Sequence, residues 1–252
     1  MFDPSQDQAA GLRRLFKQPV SRLLPVLGAG PDGRARGVVD GLAAAFARGG
    51  SRILVVDGHR AGGPVASAEP EALAQEGRGR GRQGGVRRLA LPASIADRAE
   101  DPAAAGASFQ ELLGRHHGFD LTLLDAPEEI VGALLSQRGA EALVICGPDR
   151  EDLTGAYARV KRLARSHGLT RFRVLFTEMR DPGLAFRRHR MLSCVAARYL
   201  AVEIGYGGAL SLPKAGPASP ADAPPAHAFA PIVANARHWQ LAAIGPMEPA
   251  FH

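Results

Sequence analysis

Cysteine and long hydrophobic runs are scarce in this chain of 252 residues. The two cysteines, Cys146 and Cys194, show neither CxxC nor Cys/His ligand spacing, so we expect buried, reduced thiols and no metal site. No apolar run approaches the roughly 18 residues that would span a membrane. The first residues, MFDPSQDQAA, lack the basic and then apolar regions of a secretory signal, which makes a cytoplasmic protein the expectation.

Lysine is also rare, since it supplies three of the 31 basic residues and arginine supplies the others. A net charge of +6 would suit a nucleic-acid partner. Because alanine, glycine and proline are abundant too, the arginine excess is more typical of a GC-rich genome than of nucleic-acid binding. The basic segment 77–85, GRGRGRQGG, has no interleaved aromatic residue that could stack on a base. This favours a surface loop over an RNA- or phosphate-contacting tract, and we expect no nucleic-acid partner.

Hydrophobic periodicity indicates an α/β fold. Residues 21–57 read as strand, glycine-rich turn, helix and strand, and further strands alternate with helices as far as residue 206. This alternation predicts a doubly wound, mostly parallel sheet flanked by helices over residues 21–212. Residues 1–20 form a separate N-terminal piece with an amphipathic helix. Residues 213–252 are rich in proline and alanine and predict a largely disordered tail, with a membrane-surface helix around Trp239 as the alternative.

The first glycine-rich turn lacks the residues with which a P-loop binds phosphates. Its glycines are Gly28, Gly30 and Gly33. The pattern G-x-x-x-x-G-K-[ST] also needs a lysine for the β- and γ-phosphates and a hydroxyl for magnesium. Between residues 28 and 38 the only cations are Arg34 and Arg36, and there is no serine or threonine. The order of strand, turn and helix is that of a phosphate-binding fold, but the lysine and the hydroxyl that would bind the phosphates and magnesium are missing.

The order of motifs resembles the MinD/ParA class of deviant P-loop ATPases, and within it the flagellar-number regulator family FlhG, also called FleN. The most specific match is the DQAxxLR motif of FlhG N-termini, formed here by Asp7, Gln8, Ala9, Leu12 and Arg13. LTLLDAP (121–127) resembles the class's strand with Asp125 in the Walker B position. Residues 153–176 are similar to the helix and strand after the fifth core strand. The resemblance covers roughly residues 7–212.

Against that family's pattern, the phosphate loop is altered. The family's loop resembles K-G-G-x-G-K-[ST]. Alignment on the following helix places Gly30 near the signature lysine, Ala35 near the phosphate lysine and Arg36 near the serine or threonine. An arginine binds phosphate, but its planar fork does not reproduce a compact ammonium inside the loop.

Two further loops depart from the family as well. The D-x-D pair after the second strand keeps Asp57 but has His59 in its second place, and Glu128 and Glu129 stand where the family has a switch glycine near the γ-phosphate. A carboxylate there would repel a triphosphate. The resemblance therefore implies a vestigial nucleotide site, whose residues are Gly28, Gly30, Gly33, Arg34, Ala35, Arg36, Asp57, His59, Asp125 and Glu129.

From these losses we expect no ATP hydrolysis, no catalytic residue in the core, and no required cofactor or metal. Binding of ATP and magnesium is doubtful on this interpretation. An active ATPase with an unorthodox loop stays open as the alternative. Because the family's ATP-bridged dimer uses the signature lysine, we expect a monomer or a dimer indifferent to nucleotide.

The resemblance also implies partners. In the family, the DQAxxLR helix docks on FlhF, a GTPase of the signal-recognition-particle type, and stimulates hydrolysis. Gln8 would help to order the attacking water, and Arg13 would hold the docked helix, unless this segment folds back onto its own domain. Flagellar switch proteins and transcription regulators are further candidates, with placement at the cell pole or beside the inner membrane and only transient membrane contact. A third hypothesis is ParA-like, non-specific DNA binding through the arginines of 78–88 and 187–190.

Overall fold

The structure is a computed structural model, and it describes residues 21–28, 34–59, 85–116, 118–135, 141–179, 181–211, 226–236, 238–239 and 241–244. The N-terminal motif at positions 7–13 lies outside these residues, as do Gly30, Gly33 and the glycine-rich segment before residue 85. The proposals made above for those positions stay predictions.

Eight strands form one sheet in the described part of the chain, with the order β3-β2-β4-β1-β5-β6-β7. These seven strands are parallel, and β8 pairs antiparallel with the first residues of β1. The strands are β1 (Ser21–Gly28), β2 (Ile53–Asp57), β3 (Val86–Ala90), β4 (Leu121–Asp125), β5 (Ala142–Cys146), β6 (Arg171–Thr177), β7 (Glu203–Leu210) and β8 (Ala242–Ile244). The predicted doubly wound, mostly parallel sheet is confirmed.

Helices connect the strands, and two of them begin at an aspartate cap followed by proline. Asp101 and Asp181 accept backbone N–H groups at the starts of two of these helices, each with proline in the first turn. The helices are α1 (Arg34–Arg48), α2 (Ala93–Ala96), α3 (Pro102–Arg115), α4 (Glu128–Leu135), α5 (Arg150–His167), α6 (Pro182–Leu200), a 3-10 turn (Ala226–Phe229) and α7 (Ala230–Ala236).

Each face of the sheet is covered by its own hydrophobic cluster. One cluster contains the apolar side chains of α3 to α6, among them Phe109, Val160 and Leu192. The other contains those of α1 and the C-terminal segment, among them Leu42 and Phe229. Because both faces are covered, the central strands β4 and β5 are buried along their whole length and are mostly apolar, as in other parallel sheets. No helix of the described residues is long and apolar enough to cross a membrane.

The prediction of a largely disordered tail from residue 213 is wrong for residues 226–244. There the 3-10 turn, α7 and β8 pack onto the α1 face of the sheet. Ile232 and Trp239, which suggested a membrane-surface helix, are 4% and 5% exposed, because they complete this core. The composition gave the wrong prediction because burial of a few apolar side chains stabilises an ordered segment despite the proline and alanine between them.

Two glycines make room for this C-terminal segment. A Cβ atom at Gly41 of α1 would lie 2.0 Å from the Phe229 ring, and one at Gly208 of β7 would lie 2.3 Å from Ile232. Gly208 also has a φ of +121°, a conformation that side chains rarely adopt. Trp239 lies on the guanidinium of Arg173, whose Cζ is 5.1 Å from the ring centroid. The segment is therefore docked by matched shapes on α1, β6 and β7.

The two cysteines differ in their surroundings. Cys146 is fully buried in β5, as predicted, whereas Cys194 is exposed on α6. The prediction of a second buried thiol is wrong because Cys194 stands on the solvent side of an amphipathic helix.

Candidate site at the carboxyl edge of the sheet

The sequence-predicted residues converge where the carboxyl ends of β1, β2 and β4 meet. Strand β1 lies between β4 and β5, and the chain order runs in opposite directions on its two sides. Ligands of open α/β sheets bind at this kind of switch point. Gly28 ends β1, Asp57 ends β2, Asp125 ends β4, and Arg36 lies in the first turn of α1.

One connected network is formed by Arg36, Asp57, His59 and Asp125. Asp57 and Asp125 are register partners on β2 and β4. The Arg36 guanidinium donates from Nη2 to Asp57 Oδ2 at 3.4 Å. The His59 imidazole places Nε2 at 3.2 Å from Asp125 Oδ1, and the His59 backbone N–H donates to Asp57 Oδ1 at 3.0 Å. Each strand-end carboxylate therefore has a basic side chain of this chain as its partner.

Gly58 brings His59 into this position. Its N–H donates to the carbonyl oxygen of Asp125 at 2.7 Å. A Cβ atom at Gly58 would lie 2.5 Å from the Cβ of Ala126. The backbone at residue 58 thus packs directly on β4, and the next side chain, His59, reaches across to Asp125.

Burial dominates the electrostatics of Asp125, whose side chain is only 9% exposed. Burial raises the pKa of Asp125, and the neighbouring Asp57 carboxylate raises it further. The His59 and Arg36 side chains act in the opposite direction on that pKa, but burial is the largest cause. The negative form of Asp125 is therefore costly in this structure, and His59 offsets part of the cost.

The outer pair of the network is weaker. Arg36 is half-exposed, and water screens its attraction to Asp57. A pair of this kind contributes up to about 1 kcal/mol to folding. Its contribution to the stability of the domain is therefore small.

Glu128 contacts α5 and not the four-residue network. Its carboxylate pairs with Arg159 at 3.5 Å and accepts hydrogen bonds from Arg162, one of them from Nη2 at 3.0 Å. Both Glu128 and Glu129 act to raise the pKa of Arg159, although burial lowers it more. Glu129 is exposed in the first turn of α4. The sequence argument assigned these carboxylates to the phosphate pocket, whereas the charge of Glu128 is compensated by α5.

Two further predicted residues lie in the first turn of α1. Arg34 opens α1, and Ala35, at the place expected for the phosphate lysine, packs its methyl group against the buried cluster. Sequence reasoning named Arg36, Asp57, His59 and Asp125 as residues of a vestigial nucleotide site. It missed that they bind one another. A basic residue two positions after a strand-end aspartate, as in D-G-H, was the available signal.

Magnesium-nucleotide sites of P-loop proteins combine a lysine, a hydroxyl and free carboxylates. Here the carboxylates of Asp57 and Asp125 are paired, and Arg36 stands at the hydroxyl position. Among the described residues, no group of three His, Cys, Asp or Glu side chains has the geometry to hold a metal ion. Among the described residues of this edge, neither the lysine nor the hydroxyl of such a site is present.

Sequence comparison gives one curated relative with a partial match. No protein-family model matches the chain. A segment of 93 residues is 31% identical to the antiactivator FleN of Pseudomonas aeruginosa, and it covers 36% of this chain and 33% of FleN. The chain thus matches about a third of the length of that relative.

Two solved structures share the fold. The MinD cell division protein of Aquifex aeolicus superposes with a TM-score of 0.52 at 15% identity, covering 86% of this chain and 97% of MinD. The ParA protein of pNOB8 gives a TM-score of 0.54 at 12% identity, covering 85% of this chain and 95% of ParA. This chain therefore has the fold of MinD and ParA, and about a third of its length is similar in sequence to FleN.

Proposed function

We propose that this chain is a FlhG-like regulator that acts by contact with other proteins and does not hydrolyse ATP. The observation that carries the proposal is the pairing of Asp57 with Arg36 and of Asp125 with His59. These basic side chains occupy the carboxylates that would otherwise orient magnesium and water. Phosphoryl transfer depends almost entirely on such positioning and charge stabilisation, so a site without it has no hydrolytic chemistry to offer.

The fold itself would then serve as a platform. In a nucleotide-driven switch, the ligand stabilises one of two conformations through contacts that only that conformation makes. When the chain supplies those charges itself, the edge of the sheet holds one arrangement without a ligand. A domain of this kind would present its binding surfaces at all times. Its regulatory activity would then depend on the amount of the protein in the cell.

For the partner, the proposal rests on the DQAxxLR motif and on the similarity to FleN, which is named an antiactivator. The N-terminal segment would stimulate a GTPase of the FlhF type, with Gln8 next to the attacking water. Its apolar side chains at helical spacing, Ala9 and Leu12, would fill the groove of the partner. The motif lies ahead of β1 in the sequence and contains none of the residues of the nucleotide edge.

A GTPase assay tests the activator role. The purified full chain should raise the rate of GTP hydrolysis by an FlhF-type GTPase, and the Gln8→Ala variant should lose most of that stimulation. Gln18→Ala, in the same segment but outside the motif, serves as the matched control and should behave as wild type. Equal stimulation by all three proteins, or none by wild type, would reject the activator role.

An ATPase assay tests the other half of the proposal and distinguishes it from an active enzyme with an unorthodox loop. Phosphate release from Mg-ATP should be the same for wild type and for Asp125→Ala, at the background level of buffer. Hydrolysis by wild type that disappears in Asp125→Ala would assign activity to this edge of the sheet and would overturn the pseudo-ATPase.

A further inference from the structure

Helix α6 carries all the large apolar side chains that are exposed in the described part of the chain. They are Phe186 (49% exposed), Met191 (55%), Val195 (36%) and Tyr199 (64%). Exposed apolar side chains scattered singly need no explanation, but several that adjoin on one helix form a patch. Such patches on soluble domains mark sites of interaction.

Three of these side chains form a continuous stripe. Met191, Val195 and Tyr199 stand four residues apart, so they lie above one another on one side of the helix. Phe186 lies apart from them and points its ring edge at Tyr206, with the centroids 5.6 Å apart. We call Met191, Val195 and Tyr199 the α6 stripe.

The stripe is held by a rigid support. Ala185, Leu192 and Ala196, on the adjacent side of α6, are fully buried in the core. The helix is also bound at its first half, where His189 Nε2 lies 2.9 Å from the Ile204 carbonyl oxygen. The stripe is therefore preformed, which reduces the entropy cost of binding.

The charged side chains beside the stripe are all positive. Arg190 and Arg198 flank it together with Cys194, and α6 contains no Asp or Glu in its 19 residues. Arg198 lies over the Tyr199 ring, with its Cζ 5.5 Å from the centroid. Neither Arg190 nor Arg198 forms an ion pair with a carboxylate of the described residues, whereas Arg187 pairs with Asp181 at 3.3 Å.

We propose that the α6 stripe is the docking surface for an acidic amphipathic helix of a partner protein. The partner helix would place apolar side chains at helical spacing on Met191, Val195 and Tyr199. Flanking Asp or Glu side chains would pair with Arg190 and Arg198. The apolar side chains of the stripe would supply affinity for such a helix. The arginines beside them would select an acidic partner and fix its orientation.

The same observations disfavour other occupants. A second copy of this chain would bring Arg190 and Arg198 against the same arginines, and like charges oppose each other. A membrane would require a broad apolar face, but the adjacent side of α6 is buried in the core and only a narrow stripe is exposed. The inference does not depend on the state of the nucleotide edge or on the N-terminal motif.

A peptide selection tests the proposal. The probe is a library of 18-residue amphipathic helices with Leu at positions i, i+3, i+4 and i+7 and with Glu or Lys varied at the flanking positions. The library is selected on the full chain and counter-selected on the double variant Arg190→Glu/Arg198→Glu. We expect the retained sequences to be acidic, and their affinity measured by fluorescence anisotropy to fall at least tenfold on the double variant. Arg48→Glu, an exposed arginine of α1 on the other face of the sheet, is the matched control and should change nothing.

Exposed Cys194 supplies an independent readout, because it stands beside the stripe while Cys146 is fully buried. A bound acidic peptide should slow the reaction of Cys194 with a maleimide, and a Lys-for-Glu version of the same peptide should not. Enrichment of basic or neutral sequences, no enrichment over the double variant, or unchanged Cys194 reactivity would each overturn the proposal. So would α6-dependent binding to vesicles with anionic headgroups, or arginine-dependent self-association in light scattering.

Discussion

The imidazole Nε2 of His59 lies 3.2 Å from Oδ1 of Asp125, where the family pattern has an acid beside a metal site. Histidine at this position replaces a third carboxylate with a basic side chain that contacts Asp125. Arg36 does the same for Asp57 at 3.4 Å. The carboxylates of Asp57 and Asp125 therefore have partners within the chain itself. The stability of the domain should consequently not depend on an added cation.

The variant His59→Asp should make the stability of the domain depend on a cation. The introduced carboxylate would stand beside those of Asp57 and Asp125, and their repulsion should cost about 1–2 kcal/mol at this half-exposed position. Mg²⁺ should restore part of this loss, because a ligand that binds only the folded state raises its stability. The measurement is the melting temperature with MgCl₂ and with NaCl of equal ionic strength.

His59→Asn is the control for that experiment, since asparagine has the shape of aspartate without its charge. Wild type and His59→Asn should each show the same melting temperature in both salts. If Mg²⁺ stabilised wild type as much as His59→Asp, the carboxylates would be free to bind a cation, and the pairing would have no functional meaning.

Asp125→Asn should raise the stability of the domain near neutral pH. Burial raises the pKa of Asp125, so the folded state favours the protonated acid and carries a penalty that is complete once the pH exceeds that raised pKa. Asparagine removes the penalty and keeps an oxygen that can accept from His59. The gain should be a few degrees in melting temperature at pH 7 and should shrink as the pH falls below the folded pKa, vanishing below the unfolded pKa. A variant that is less stable than wild type at pH 7 would show that the ion pair with His59 outweighs burial.

Gly41→Ala should loosen the C-terminal segment. A Cβ at Gly41 would lie 2.0 Å from the Phe229 ring, so the ring must move and the cost should be about 1–3 kcal/mol. Gly37→Ala in the same helix has nothing within 4 Å and should stabilise the domain by about 0.5–1 kcal/mol through helix propensity. Urea unfolding measures both values.

The fluorescence of Trp239 reports where the loosening occurs, because it is the only tryptophan of the chain and is buried. In Gly41→Ala its emission should shift to longer wavelength at lower urea concentration than the loss of helical circular dichroism. Coincident transitions would show that the C-terminal segment and the sheet unfold as one unit.

Periodicity predicted the sheet well, because long apolar strands and capped helices are local signals. Asp181 before Pro182 is such a signal, and α6 begins there. The C-terminal segment was missed because its signal is not local: Phe229 and Ile232 have meaning only beside Gly41 and Gly208.

The candidate site, too, could be predicted from the sequence only in part. Motif comparison located Asp57, His59 and Asp125, since strand ends can be read from the sequence. It could not show that His59 bridges to Asp125, because this depends on the close packing of Gly58 on Ala126. It also placed Glu128 beside the phosphate pocket, whereas the arginines of α5 hold it elsewhere. Spacing along the chain gives the residues of a site, and packing decides their partners.

Calorimetric titration of the full chain with Mg-ATP tests the central claim most directly. If Arg36 and His59 occupy the carboxylates of Asp57 and Asp125, the titration should give only the heat of dilution, in wild type and in Asp125→Asn alike. Saturable binding of Mg-ATP to wild type that is lost in Asp125→Asn would contradict the account.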